Sequence, residues 1–246
     1  MKKKKVVIIL CFIIILFCCV TLVEVEGHDA NKKINNFIKR GIYVTTINKI
    51  EYYKVVKKYD YENTRNVIEE LEDIYVGSAG DIYISSKDPL DFFLTKYLSK
   101  RLRIGHAAIV QSEDAKMMVE VIGNSTKENN VVKKVNNTWL ETKNEEITIL
   151  RAKNINEENK RNIQKNLKEK YGLSYNYIFL VHAENRYYCL DLCSRVYEEI
   201  GIDIDKNSII TFGSSMIKND NTYIIYYKKK VQSDNINYRV YYLSEE

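Results

Sequence analysis

Two short stretches carry residue types able to do covalent chemistry. Tyr187-Tyr188-Cys189-Leu190-Asp191-Leu192-Cys193-Ser194-Arg195-Val196-Tyr197 places a cysteine at the expected start of an amphipathic helix. Gly105-His106-Ala107-Ala108-Ile109-Val110 opens a strand with a histidine. A thiol at a helix N-terminus and an imidazole on a neighbouring strand are the minimum parts for nucleophilic acyl transfer. Five cysteines and three histidines in 246 residues leave few pairings to consider. The helix dipole and the free backbone N–H groups of the first turn favour a thiolate at Cys189 and suit a developing oxyanion. The competing reading of Cys189 is a buried, inert sulfur. Cys193 lies one turn deeper with Leu192, Val196 and Ile200 and reads as a small buried hydrophobe.

A third group follows from strand parity. Gln111–Lys116 is polar and turn-like, so the strands on either side form a hairpin. Pairing Val110 with Lys116 puts Ala108 opposite Met118 and His106 opposite Glu120. The fourteen-residue separation of His106 and Glu120 is even, so both point to one face of a straight hairpin. A carboxylate there can fix the imidazole tautomer and stabilise its protonated form. The plainer alternative is that Glu120 is an ordinary exposed strand residue.

The elements that position these groups read as α+β. Ile82–Ser85, His106–Val110, Met117–Ile122, Glu146–Arg151, Thr222–Tyr227 and Asn237–Leu243 read as strands of an antiparallel sheet. Pro89–Lys100, with Asp88 as N-cap, Glu157–Tyr171 before Gly172, and Cys189–Ile200 before Gly201 read as helices packed on it. Asn31–Tyr75 shows a 3.6 period, with Thr64–Asp73 an amphipathic helix, and reads as a helical stalk or cap. Upstream, four lysines precede the uncharged apolar run Val6–Val23, a signal anchor or a signal peptide cut after Gly27. Cys18 and Cys19 sit behind Phe17, too bulky for the usual lipid-anchor site. The expected units are 1–27 (signal anchor or signal peptide), 28–76 (helical stalk or cap) and 77–246 (hydrolase domain). The positive N-terminus would stay in the cytoplasm, leaving the C-terminal domain outside the cell membrane, or secreted if the segment is cut.

Charge and the remaining motifs mostly exclude. Net charge is +5, of which the first 27 residues hold +2, too little for nucleic acid. It suits proximity to anionic wall polymers or lipid headgroups. One proline, twenty tyrosines and abundant Lys, Asn and Ile resemble an AT-rich bacterial coding bias. Cys189 and Cys193 are four apart on one helix face, poor geometry for a disulfide, so an exported domain keeps a free thiol. His182, Cys189 and Cys193 do not have zinc spacing, and no phosphate loop occurs, so no metal or cofactor is expected. His182 reads as a surface loop residue near the cleft and His28 as solvated. Trp139 reads as core cover or as a stacking surface for a ligand. Asn124-Ser125-Thr126 matches a glycosylation acceptor, idle in a bacterium.

In order, Gly80-Asp81-Ile82, Gly105-His106-Ala107-Ala108-Ile109-Val110, Val119-Glu120 and Tyr188-Cys189-Leu190-Asp191-Leu192 resemble the permuted papain-like branch of the NlpC-type cysteine hydrolases, the YiiX/YebB-like amidases. The likeness runs from about Gly77 to the C-terminus. Leu190 stands where Ser is usual and Asp191 where Glu is common. The resemblance implies a permuted papain-like fold with Cys189 as nucleophile, His106 as general base and then acid, and Glu120 as orienter. It implies hydrolysis of an amide or related acyl bond. The expected substrate is cell-wall peptide. The alternatives are a lipid-like acyl amide, hydrolysed or transferred, or a non-catalytic ligand.

Overall fold

The computed structural model describes residues 2–68, 70–87, 93–123, 130–142, 146–179, 183–206, 210–231 and 233–245, without side chains for 2–19, 93–95 and 142. His182, Asn124-Ser125-Thr126, Asp88 and Pro89 lie outside the described residues.

The apolar run belongs to one helix, α1 (Lys2–Lys39), which passes through the expected boundary at residue 27. Among the described residues, no helix is long and apolar enough to cross a membrane. Beyond residue 23, α1 lies on the domain. Glu24 pairs with Arg101 and accepts from Tyr97, Glu26 pairs with Lys218, and Ile34 and Phe37 are buried.

Residues 41–56 are strands, which corrects the helical reading of Asn31–Tyr75 beyond α1. β1 (Gly41–Ile47) and β2 (Ile50–Val56) form a hairpin that closes through Asn48 and Lys49, both at positive φ. Two consecutive left-handed residues make the turn whose twist matches a two-residue hairpin, and the flanking Ile, Val, Thr and Tyr residues are strand formers. Among the described residues of Thr64–Asp73 there are turns and no helix. Asn66 is left-handed there, and Arg151 takes the carbonyls of Asn63 and Arg65. A tertiary partner thus claims acceptors that a helix would have used. The segment expected as a helical stalk is a hairpin joined to the main sheet, followed by an irregular strap.

The other strands are β3 (Ile82–Ser85), β4 (His106–Val110), β5 (Met117–Glu120), β6 (Lys133–Asn136), β7 (Ile147–Ala152), β10 (Thr222–Lys230) and β11 (Tyr238–Ser244), with a separate short pair, β8 (Ser174–Tyr175) and β9 (Arg186–Tyr187). Among the described residues, nine strands form one sheet in the order β1-β2-β11-β10-β7-β3-β4-β5-β6. Its pairs are antiparallel except β2–β11, so the sheet is mixed rather than purely antiparallel. The helices are α2 (Phe93–Leu102), α3 (Trp139–Thr142), α4 (Glu157–Glu169), α5 (Cys189–Glu198) and α6 (Gly213–Lys218). α5 packs against β4, with α4 beside it. This contact brings the cysteine helix to the histidine strand.

The β4–β5 register differs from expectation by two residues. Val110 pairs with Met118 and Ile109 with Val119. The turn holds Ser112–Lys116, with Ala115 left-handed and Ser112 Oγ accepting from Met117 N at 3.0 Å. A slip of two preserves which face each side chain takes. It places Ala108, rather than His106, across from Glu120.

Candidate active site

His106 opens β4 and Glu120 ends β5, on the same face. They meet on the diagonal, with His106 Nε2 2.9 Å from Glu120 Oε2. Diagonal neighbours on adjacent strands lie within reach of long side chains. With Nε2 committed to the carboxylate, Nδ1 is the ring nitrogen left for another partner. Cys189 lies close enough to the same imidazole to favour its charged form. Burial pulls the imidazole pKa down, but the hydrogen bonds and charges of Cys189 and Glu120 outweigh it and raise the group to about 9. His106 therefore stays protonated through neutral pH when both partners are charged.

Cys189 is the first residue of α5, and no side chain caps that helix. Its first-turn N–H groups point out of the helix beside the sulfur. Cys189 as a whole is almost covered, at 9% exposure. Tyr188, at the N-cap, is held by Thr211 N, which donates to its hydroxyl at 2.7 Å. Cys193 is fully buried and free, as expected of a small hydrophobe, and burial holds its thiol well above the usual range. Asp191 is fully buried with Arg195 Nη1 at 3.6 Å, one turn along the helix.

Trp139 resolves between its two expected roles in an unforeseen way. It is buried, and its ring stacks on His106 with centroids 5.2 Å apart and an 18° tilt. Tyr83 meets its edge at 5.6 Å. Asn137 Oδ1 accepts from Trp139 N, and Asn137 Nδ2 donates to Ala115 O, so the hairpin turn carries the indole into place. No local signal marks this contact, because the two rings are 33 residues apart.

A second group missed from sequence is aromatic. Burial pushes the Tyr175 hydroxyl up, with Cys189 among its electrostatic neighbours. Tyr175 contacts Tyr177 and Phe179, and Phe179 contacts Tyr188 at 5.3 Å. A Cβ on Gly123 would come within 2.6 Å of the Tyr175 ring, so a glycine just past β5 makes room for it. The one legible signal was the density of aromatics in Tyr175–Phe179. His28 is exposed, as expected.

The indole face favours the imidazolium over the neutral ring. Replacing Trp139 by Leu should lower kcat/KM about tenfold through lost ring orientation. It should also move the alkaline limb of the pH–rate profile down by roughly 0.5–1 in pH, since the protonated ring loses its partner. Trp139→Phe, which keeps an aromatic face, should recover most of both. An unmoved alkaline limb in Trp139→Leu would make the indole mere packing.

Residues 77–238 match the model of a family described as permuted papain-like amidase enzyme, YaeF/YiiX, C92 family. A solved structure with a similar outline is that of the metalloprotein yiiX from Escherichia coli O157:H7. The TM-score is 0.44 at 12% identity, covering 61% of this chain and 96% of that one. No curated protein matches the chain.

Proposed function

The chain belongs to the C92 family of permuted papain-like amidases, and on that premise we propose that Cys189, His106 and Glu120 act as its catalytic triad. The observation that supports this reading is the His106–Glu120 pair, 2.9 Å apart, with Cys189 at the start of α5 near enough to act on the same imidazole. His106 holds the proton of the Cys189 thiol. The thiolate attacks the amide carbonyl carbon, and the electron pair of the C=O bond moves to oxygen, where the first-turn N–H groups of α5 stabilise it. The intermediate collapses to a thioester. The amine leaves with the proton that His106 returns. Water then attacks the thioester, with His106 as base, releasing the acid and restoring the thiol.

The substrate in this reading is a peptide amide of the cell wall. The placement of the domain outside the membrane in this reading rests on the apolar sequence Val6–Val23 alone, since no described helix is long and apolar enough to span one. One observation favours a second reading, an amide of an apolar acyl chain. Tyr177, Ile178 and Phe179 are 58%, 62% and 45% exposed, and their ring contacts lead to Tyr188, next to the nucleophile. Consecutive exposed apolar side chains beside a site favour an apolar ligand.

Iodoacetamide alkylation of the full chain, followed by intact mass across pH, tests the triad. Cys189 should alkylate fast and at a single site in the folded chain, and His106→Ala should abolish that fast reaction. Glu120→Gln should slow it while leaving the fold intact. Alkylation only on unfolding would make Cys189 a structural sulfur. Comparing a muropeptide amide with an N-acyl amide in Phe179→Ser separates the substrates. A raised KM for the acyl amide alone supports the apolar reading.

A further inference from the structure

A cavity of about 450 Å3 opens between the end of α1, the strap after β2 and the start of β10, away from Cys189 and His106. Five cationic side chains line it, Lys33, Lys39, Arg40, Lys58 and Lys153, against two carboxylates, Glu62 and Asp220. Both carboxylates are already engaged. Glu62 binds Arg40 through both oxygens at 2.6 and 2.7 Å and accepts from the N–H groups of Lys58 and Tyr59. Asp220 pairs with Lys206 at 2.9 Å. Lys33 donates to the carbonyls of Asn219 and Thr222 at 2.6 and 2.7 Å and to the Thr222 hydroxyl, and Asp220 favours its charge. Lys153 sits 3.9 Å above the Tyr61 ring, which stacks on Tyr59. Burial and the neighbouring Lys153 pull Lys33 down to about 8, so the two ammonium groups repel across the cavity. Asp220 offsets part of this charge, but five cations against two carboxylates leave the walls net positive.

We infer that this cavity is a binding site for a phosphate-type anion, held chiefly by Lys33 and Lys153 over the Tyr59–Tyr61 stack. A carboxylate brings one charge and two oxygens. A phosphate ester brings up to two charges and three free oxygens, which better matches the surplus of ammonium donors around the space. The ligand is a soluble phosphate ester or a lipid phosphate headgroup. The site is separate from the amide chemistry, and its variants should leave hydrolysis unchanged.

Calorimetric titration of the full chain in a non-ionic detergent tests this. The titrants are glycerol 3-phosphate and, separately, micelles doped with phosphatidylglycerol or phosphatidylcholine. Saturable binding of glycerol 3-phosphate identifies a soluble ester. Binding confined to phosphatidylglycerol micelles identifies a headgroup. In either case Lys33→Met/Lys153→Met should bind at least about tenfold more weakly, because two charge-assisted contacts are lost. Asp220→Asn should bind more tightly, because it removes a competing negative charge. If the double variant fails to fold, Lys153→Met and Asp220→Asn alone decide the sign. Equal affinity in wild type and variants, or no binding of either phosphate, overturns the inference.

Discussion

Cys189→Ala should lower amide hydrolysis by on the order of 10⁴–10⁶-fold, the loss that follows removal of a nucleophile from a set acting as a unit. The fold should survive, because the sulfur lies at the first position of α5 and anchors no backbone. Cys193→Ala is the matched control. It removes a fully buried sulfur from the same helix, so it should cost about 1 kcal/mol or somewhat more in stability while keeping hydrolysis within about threefold, since it removes no group from the reacting set. Steady-state rates and urea midpoints for the two variants separate chemistry from packing. Residual activity within tenfold of wild type in Cys189→Ala would move the nucleophile elsewhere. Equal losses in both variants would point to helix disruption rather than catalysis.

The largest stability effect should come from Asp81, which never touches the proposed reacting groups. Asp81 receives Arg151 through two contacts, Nε to Oδ1 at 2.9 Å and Nη2 to Oδ2 at 2.7 Å. Both residues are buried, and Asp81 also accepts from Ser78 N. Asp81 holds Arg151 firmly protonated against a burial that would pull its proton off. The same guanidinium then fastens the strap through the carbonyls of Asn63 and Arg65. Asp81→Ala strands a buried cation and should cost about 3–5 kcal/mol. Asp81→Leu/Arg151→Met, which removes both charges, should be clearly less damaging than Asp81→Ala. The urea midpoint should fall with little change in slope, the mark of lost native stability. A midpoint change under 1 kcal/mol in Asp81→Ala would mean that water or another group takes over the guanidinium.

The two variants separate two uses of the resemblance motifs. Tyr188-Cys189 supplies the proposed chemistry, whereas Gly80-Asp81 supplies a clamp. Gly77 and Gly80, both at positive φ, shape the turn that presents the Asp81 carboxylate, and a Cβ on Gly77 would lie 2.5 Å from its oxygen. β3 follows directly and pairs Ser85 with His106. Damage to the clamp should therefore reach the site only through stability.

Local pattern determined much about this protein. Period-two alternation placed His106 and Glu120 on one face, and that held although the register slipped by two, because parity survives an even slip. The apolar face of Cys189–Ile200, ended by the left-handed Gly201, located the helix start where the sulfur sits. Tertiary structure decided what local pattern does not encode, namely partners. The 3.6 period over residues 31–75 was satisfied equally by chance spacing, and strand propensity, the Asn48-Lys49 turn and pairing with β11 turned part of it into sheet. The described part of Thr64–Asp73 is not helical, and Arg151, almost ninety residues on, binds the Arg65 carbonyl and that of Asn63 just before it. Trp139 reached His106, and Lys33 reached Lys153, only through folding. Periodicity states which way a side chain faces; contact across a long separation depends on how the whole chain closes.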